Sequence, residues 1–563
     1  MSYLFLFTIG PVKGFIDNSR KSMDLYAGSR FLSELMAEAV GWTADKKNIQ
    51  VLFPSISREN KEKPANIPNR LIAEVKSDSE TEMRNTAEAL SRFIKDTFHK
   101  RCNDLLMEAG IDQRGLEMAA RQWNDFLEVY WVFEKYDPEN YSESYEKIFT
   151  RIQEVKGIRP FSQSKEPWGR KCMLFPEYNA IFAKKYKHNG KAVYPYNTNP
   201  NYVCDISGNS YLKYVVKPKE ALSAIALVKR IYGKKETNFY SIRQMMLLNR
   251  VSPVKDIFSE SGICTKNGEL MDMVANAVYD LENGQVLDEG EYSQEVIQKS
   301  QILYKKIQEK SVKLSSYYAI IKFDGDSMGD AFRALKTPYE QQALSEKISS
   351  FAHEAPGIIS SYQGLPVFAG GEDFLGFLPL DGLFDCIAEL HDRFLEVIGL
   401  SFSMGISIGH LMQPLKEVME YVDAAEAAAK RMPGKNAAAV NIMKRSGDIV
   451  KVPPYKLSGD DALIQWKHIG EMVQMLKNTQ CSKSLFFNIT NLMKHFLEEN
   501  VKPEESMAEA LLKDCVARSV MEDKQINKEQ LLEKLMLFYR HAGSMSEFLN
   551  TLDGIVFLSR EVI

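Results

Sequence analysis

The sequence predicts a multidomain α+β protein, and three observations carry that expectation. Strand-like and amphipathic helix-like runs alternate at the N-terminus and again after residue 312. Both stretches follow a similar order of elements, as a diverged duplication of one unit would. Elsewhere the chain is largely helical, and 563 residues exceed what one core supports.

The first unit opens with a strand, Leu4 to Ile9, closed by the Gly10-Pro11 turn. A helix follows through FIDNSRKSMDLYAGSRFLSELMAEAVG, then the strand IQVLFPSI and the charged loop SRENKEKPANIPN. The strand RLIAEVKS and a helix ending near Gly110 complete it. Strand–helix–strand–strand–helix predicts a sheet with helices on one face. Residues 111–160 read as helical and aromatic-rich, and 161–218 as an irregular insertion rich in Tyr, Asn and Pro. Helical periodicity then holds to 312, where the strand YYAIIKF opens a second α+β unit ending near 448. The proline pair of KVPPYKL marks the next boundary. The tail is amphipathic helix, clearest in DKQINKEQLLEKLMLFYRHA. The expected domains are 1–110, 111–312 with its insertion, 313–450 and 451–563.

A net charge of −4 argues against a basic coat for nucleic acid, while leaving local patches open. The N-terminus lacks the basic n-region and cleavage site of a signal peptide. No stretch approaches the roughly 20 apolar residues of a membrane span. Seven scattered cysteines, none in CxxC spacing, fit a reducing cytoplasm better than a disulfide framework.

Three motifs suggest chemistry. In YYAIIKFDGDSMGDAF the strand ends at Asp324, followed by Gly325, Asp326 and a helix starting near Ser327. A carboxylate beside a helix N-terminus suits a cation and a phosphate together. In GLPVFAGGEDFLGFLPL two short strands flank a GGED hairpin turn. Such a hairpin brings Glu372 and Asp373 close to Asp324, and three carboxylates suit one or two Mg²⁺ or Mn²⁺ ions. Gly370 and Gly371 permit positive φ and close approach to a triphosphate. The third motif, SFSMGISIGHLMQPLKEVMEYVDAAEAAAKRMPGKNAAAVNI, reads strand–helix–strand with a stripe of Leu415, Val418, Met419, Val422, Ala425 and Ala429. Lys430 and Lys435 fall at the helix end and the next turn, positioned for phosphates. Each motif alone is ordinary turn chemistry; the three in this order are specific.

DGDSMG, GGED and AAK…GKNA resemble the palm domain shared by GGDEF-type diguanylate cyclases and some polymerases. TIGPVKGFIDNSRKSMDLYAGSRFLSEL with IPNR, and SMGISIGH with KNAAAVNIMKRSGD, resemble the large, Cmr-type polymerase/cyclase-like subunit of type III-B CRISPR effector complexes. The resemblance runs along the whole chain. It implies two ferredoxin-like, GGDEF-type palm domains, helical linker domains and a C-terminal helical bundle. It also implies work beside other Cmr-type subunits, a guide CRISPR RNA and a target RNA. The implied activity is a target-RNA-activated nucleotidyltransferase joining ATP into cyclic oligoadenylate by 3′-OH attack on an α-phosphate. Asp324, Glu372 and Asp373 would then hold Mg²⁺. Gly325, Asp326, Ser327, Gly370, Gly371, Lys430, Lys435 and Asn436 would line the nucleotide, with Ser29, Arg30 and Ser33 at a second nucleotide.

The chain departs from the family pattern in three places. GGED stands where GGDD is usual. The zinc insertion keeps Cys172 and Cys204, but Phe175 and Ser207 replace their partners; even with His188 the set falls short of four ligands, so no zinc is expected. The chain starts at the palm strand, so the DNA nuclease of many relatives is not expected, and His391-Asp392 reads as a surface pair. Two alternatives stand within the resemblance: joining of ATP to S-adenosylmethionine with release of pyrophosphate, and a silent scaffold. A free-standing diguanylate cyclase fits the palm motifs but not the rest of the chain. Lys483, Lys494 and Arg518 in the tail read as solvated charges rather than phosphate contacts.

Overall fold

Two sheets with one strand order organise the molecule. The computed structural model describes residues 1–561 except 56–66, 159–165, 218, 236–238, 255, 265–267, 290, 460–464, 479–481 and 520–527. Most of the predicted charged loop and the start of the predicted insertion therefore lie outside the described residues.

The first sheet contains Ser2–Gly10, Ile49–Phe53, Arg70–Lys76 and Glu128–Lys135, ordered second, third, first, fourth, with every pair antiparallel. Alternation along the first strand divides its side chains between two cores. Phe5, Phe7 and Ile9 meet Phe31, Leu35, Leu90 and Ile94 of the helices Ser22–Ala44 and Glu80–Glu108. Leu4 and Leu6 face the other way, with Tyr145 and Ile148 of the helix Tyr141–Gly157. Helices thus cover both faces, correcting the expectation of one. The fourth strand, EVYWVFEK, lies inside the stretch read as helical. Its β-branched and aromatic residues fit a pleated, half-buried surface better than a helix.

The second sheet repeats the order with Tyr317–Gly325, Leu365–Ala369, Asp373–Pro379 and Phe402–His410. It then adds Ala437–Met443 in parallel, through the helix Leu415–Arg431, and Ile449–Lys456 antiparallel at the edge. That edge strand contains Pro453 and Pro454, which the sequence placed at a domain boundary. The prolines fall beside a register shift between Ala438 and Val440, on the last strand of the sheet. An edge or bulge is where a strand tolerates a missing N–H. The terminal helix Met545–Glu561 packs on the same strand, with the Tyr455 hydroxyl 2.9 Å from Thr551 Oγ1.

Ala319, Ile321 and Phe323 pack against Phe351 and Phe394 of the helices Pro338–Ser361 and Leu383–Ile398. Tyr318 and Ile320 face the helix Leu415–Arg431, through Val418 and Val422. Gly405 lets that helix lie directly on the sheet: a Cβ there would sit 2.3 Å from Glu426 N and 2.4 Å from Val422 O. The two α+β units pack together through Tyr145 and Phe53 on Phe332, and through Leu25 beside Leu365 and Val367.

In the insertion, the Cys172 sulfur accepts from Leu174 N at 3.5 Å and the Cys204 thiol lies 3.8 Å from Asp112. His188 stands exposed in the hairpin Tyr186–His188/Lys191–Val193. Among the described residues, no helix is long and apolar enough to cross a membrane.

Candidate nucleotide site

The ladder between Tyr317–Gly325 and Asp373–Pro379 ends on the pair Asp324–Asp373. Residues directly opposite in an antiparallel ladder share a face, with Cβ atoms about 4.5–5.5 Å apart. Register therefore brings together two carboxylates that are 49 positions apart, by the difference of their numbers. Backbone bonds lock the corner: Gly325 N donates to Glu372 O at 2.8 Å and Gly370 N to Asp373 O at 3.0 Å. Gly371 turns the tip at φ +110°, a conformation that L side chains rarely adopt. At Gly370 a Cβ would lie 2.0 Å from the Phe368 ring and 2.7 Å from Asp373 Oδ1. This glycine makes room for the carboxylate itself, a nearer reason than approach to a phosphate.

Burial, then the nearby Glu372 and Asp324 carboxylates, push the Asp373 carboxyl up to about 7, with Arg70 partly offsetting them. Lys430 Nζ stands 2.9 Å from Asp324 Oδ2. Two acids on one face fit Mg²⁺, which takes one or two protein carboxylates and fills its remaining positions with water and substrate phosphates.

Glu372 is placed differently. Its Oε1 lies 2.5 Å from Arg70 Nη2 of the first sheet, and its Oε2 is buried without a hydrogen-bond partner among the described residues. No group of three His, Cys, Asp or Glu side chains among the described residues is arranged to hold a metal. The predicted triad is thus a pair plus an ion-paired third acid. Glu372 sits in the turn just before the strand that opens at Asp373, and its carboxylate is held by Arg70 while still near enough to Asp373 to raise that carboxyl.

Several predicted nucleotide contacts are engaged inside the protein. Asp326 is buried; its Oδ1 accepts from Ser403 Oγ, and its Oδ2 from Ser401 Oγ and Asn436 N, each at 2.8 Å. Asn436 in turn donates to Ser458 and meets His391 Nε2 at 2.8 Å. His391 is accordingly buried while Asp392 is exposed, correcting the reading of a surface pair. Gly434, Lys435 and Asn436 are all left-handed, and Lys456 Nζ donates to the carbonyls of Pro433 and Lys435. Ser327 is exposed at φ +56°, and the helix it opens, Met328–Arg333, has only six residues. A Cβ at Gly325 would strike Met328 Cγ at 2.7 Å. In the first unit, the Ser33 hydroxyl bonds both N and O of Ile67, Arg30 pairs with Glu34 at 3.3 Å, and Ser29 is buried. Among the described residues, no hydrogen bond or ion pair joins Ser29 or Ser33 to the Asp324–Asp373 corner.

Sequence reasoning missed a chain of ion pairs leading to Asp324. Lys13 Nζ lies 2.8 Å from Asp423, Asp423 lies 2.6 Å from Lys322, and Lys322 lies 3.0 Å from Glu426. Glu426 then holds Lys430 at 2.6 Å. Burial lowers the Lys322 ammonium, but hydrogen bonds to Asp423 and Glu426 outweigh it and hold the group above its ordinary value. The signal was present: Lys322 interrupts an apolar strand two residues before Asp324, on the same face, and Glu426–Lys430 has helical i,i+4 spacing.

Comparison with known proteins follows the two sheets. Residues 4–106 match the family described as CRISPR-associated protein Cmr2, N-terminal. Residues 317–439 match Cas10/Cmr2, second palm domain. The CRISPR system Cmr subunit Cmr2 of Pyrococcus furiosus is 24% identical over 657 aligned positions, covering 94% of this chain and 70% of the relative. Among solved structures, the type III-B Cmr-β complex in its apo state aligns with TM-score 0.68 at 13% identity, covering 99% of this chain and 82% of that one. Cmr-β bound to cognate target RNA gives TM-score 0.64 at 13% identity, with 99% and 83% covered. Likeness at that identity establishes the fold. Both family matches fall on the two sheets and the relative aligns over 94% of this chain, so the chain carries a Cmr2 N-terminal domain and a Cas10/Cmr2 second palm domain and is similar along its length to type III-B large subunits.

Proposed function

We propose that the chain is the nucleotidyltransferase subunit of a type III-B complex, joining ATP molecules into cyclic oligoadenylate once target RNA is bound. The observation that carries this reading is the Asp324–Asp373 pair at the ladder end, beside Lys430. The reaction needs a 3′-hydroxyl held in line with an α-phosphate; the new O–P bond forms as the bond to pyrophosphate breaks, and the hydroxyl proton leaves to solvent. Asp324 and Asp373 would hold one or two Mg²⁺ or Mn²⁺ ions, which supply positive charge against the triphosphate and the developing pyrophosphate. Lys430 balances Asp324 and Glu426 in the free protein and turns to the phosphates when they enter. Glu426, anchored on Lys322, limits how far it moves. Partners follow from the family: other Cmr-type subunits, a guide CRISPR RNA and the target RNA.

The test is mass-spectrometric product analysis of the assembled complex with Mg²⁺ and ATP, with and without target RNA. Target-dependent cyclic oligoadenylate is expected, and GTP alone should give no cyclic product. An adduct formed only when S-adenosylmethionine is added would redirect the activity to conjugation of ATP with that molecule. No product under any condition would leave a scaffold.

A further inference from the structure

We propose that Lys322 is a positioning residue that releases Lys430 to the triphosphate, and that Lys13 of the first unit is the counter-charge which lets it do so. This rests on the reading of Lys430 as a phosphate contact in the proposed reaction. Asp423, Glu426 and Lys430 follow one another at i,i+3 and i,i+4 spacing on the helix Leu415–Arg431 and so share one face. That face lies over the strand Tyr317–Gly325, where Lys322 stands opposite Gly405, the glycine that lets the helix backbone rest on the sheet. Lys322 is thereby placed between two acids, its Nζ 2.6 Å from Asp423 Oδ1 and 3.0 Å from Glu426 Oε2. Each acid has a second lysine on its other oxygen: Lys430 lies 2.6 Å from Glu426 Oε1, and Lys13 lies 2.8 Å from Asp423 Oδ2.

Sharing matters because the Glu426 side chain is only 10% exposed. Removing the partner of a carboxylate so buried leaves an uncompensated charge, at a high cost in free energy. Were Lys430 its only cation, turning to a phosphate would strand Glu426, and the lysine would stay where it is. Lys322 removes that obstacle: it already touches the other oxygen, and it closes on Glu426 as Lys430 departs. Closing on Glu426 loosens Lys322 from Asp423, which keeps Lys13. Lys13 belongs to the short helix Val12–Asp17, directly after the first strand of the first sheet. Each step therefore exchanges one ion pair for another, and the first unit bears on the phosphate contact of the second. Asp324, which Lys430 also leaves, is an acid that the metal would hold.

The experiment measures KM and kcat for ATP with the assembled complex, target RNA and Mg²⁺. In parallel, calorimetry gives the affinity of the same complex for a non-hydrolysable ATP analogue. Lys322→Met should raise KM about 10-fold, the scale of one charged hydrogen bond, with kcat nearly unchanged. Lys322→Arg, which keeps the charge, should recover most of the loss. Glu426→Gln added to Lys322→Met should recover it too, because no buried charge then holds Lys430; a loss of fold would not be recovered this way. Lys13 is 75% exposed, so Lys13→Met should raise KM only about 2-fold. Placed on Lys430→Met, Lys322→Met should add nothing, since both act through one contact. The proposal is overturned if the Lys322 and Lys430 effects multiply, or if Lys322→Met changes neither KM nor analogue affinity. It is equally overturned if Lys322→Met lowers kcat alone, or if adding Glu426→Gln restores nothing. A wild-type complex that binds the analogue but makes no product contradicts only the proposed reaction, and the order of analogue affinities then still decides the role of Lys322.

Discussion

The two palm sheets end the same ladder with different residues. In both, the first strand pairs antiparallel with the third, and the final rung lies at the same corner. In the first sheet that rung is Thr8–Arg70; in the second it is Asp324–Asp373. The faces leading to it differ as well. Leu4 and Leu6 precede Thr8 and are sealed under the helix Tyr141–Gly157. The matching positions in the second sheet, Ile320 and Lys322, pass from core to a line of ion pairs ending at Asp324. One topology thus provides a support where its face is apolar and a charged corner where it is not. On the proposed reading the chemistry lies in a few residues at the ladder end, and the fold delivers them there.

Breaking the charged corner should have the largest effect. Asp324→Asn or Asp373→Asn should lower product formation by about 10²–10³-fold, the scale of losing one preorganised electrostatic contact at a reacting centre. Lys430→Met should cost less, about 10–100-fold and mainly in KM for ATP, as expected for one charged contact to phosphate; steady-state kinetics separates the two.

A smaller effect appears in stability against pH. The Asp373 carboxyl is raised to about 7, so the folded state holds a proton that the unfolded chain has already released. The resulting stabilisation is full below the unfolded value of about 3.9 and is lost as pH rises through about 7. Melting of the metal-free chain should therefore fall between about pH 4 and about pH 7, and Asp373→Asn should flatten that part of the slope. The smallest effect belongs to the supporting sheet. Thr8 is buried and donates to Asn69 O at 2.8 Å, so Thr8→Ala should cost about 1 kcal/mol in denaturant melts and leave product formation unchanged.

What the sequence revealed and what it hid divide along the same line. The strand ending at Asp324, the GGED hairpin and the helix stripe ending at Ala429 are local patterns, and the structure has all three. The strand Glu128–Lys135 was missed because it lies far from its partner in the chain and is flanked by helices. The prolines of the last sheet strand were read as punctuation because an edge position is visible only once the sheet is assembled. The same holds at the site. No local rule pairs Arg70 with Glu372 across 302 positions, or assigns the two oxygens of Asp326 to Ser401, Ser403 and Asn436. Side chains that look free for a ligand in sequence are claimed by neighbours that only the fold supplies.

The central claim is that Asp373 touches the metal on which nucleotide joining depends, and a change of ligand softness tests it most directly. In Asp373→Cys the hard carboxylate gives way to a thiolate, which favours soft ions over Mg²⁺. Product formation by the assembled complex with target RNA and ATP should be lost in Mg²⁺ and recovered on adding Cd²⁺. Wild-type synthesis by this variant in Mg²⁺, or loss that Cd²⁺ does not restore, would contradict the account.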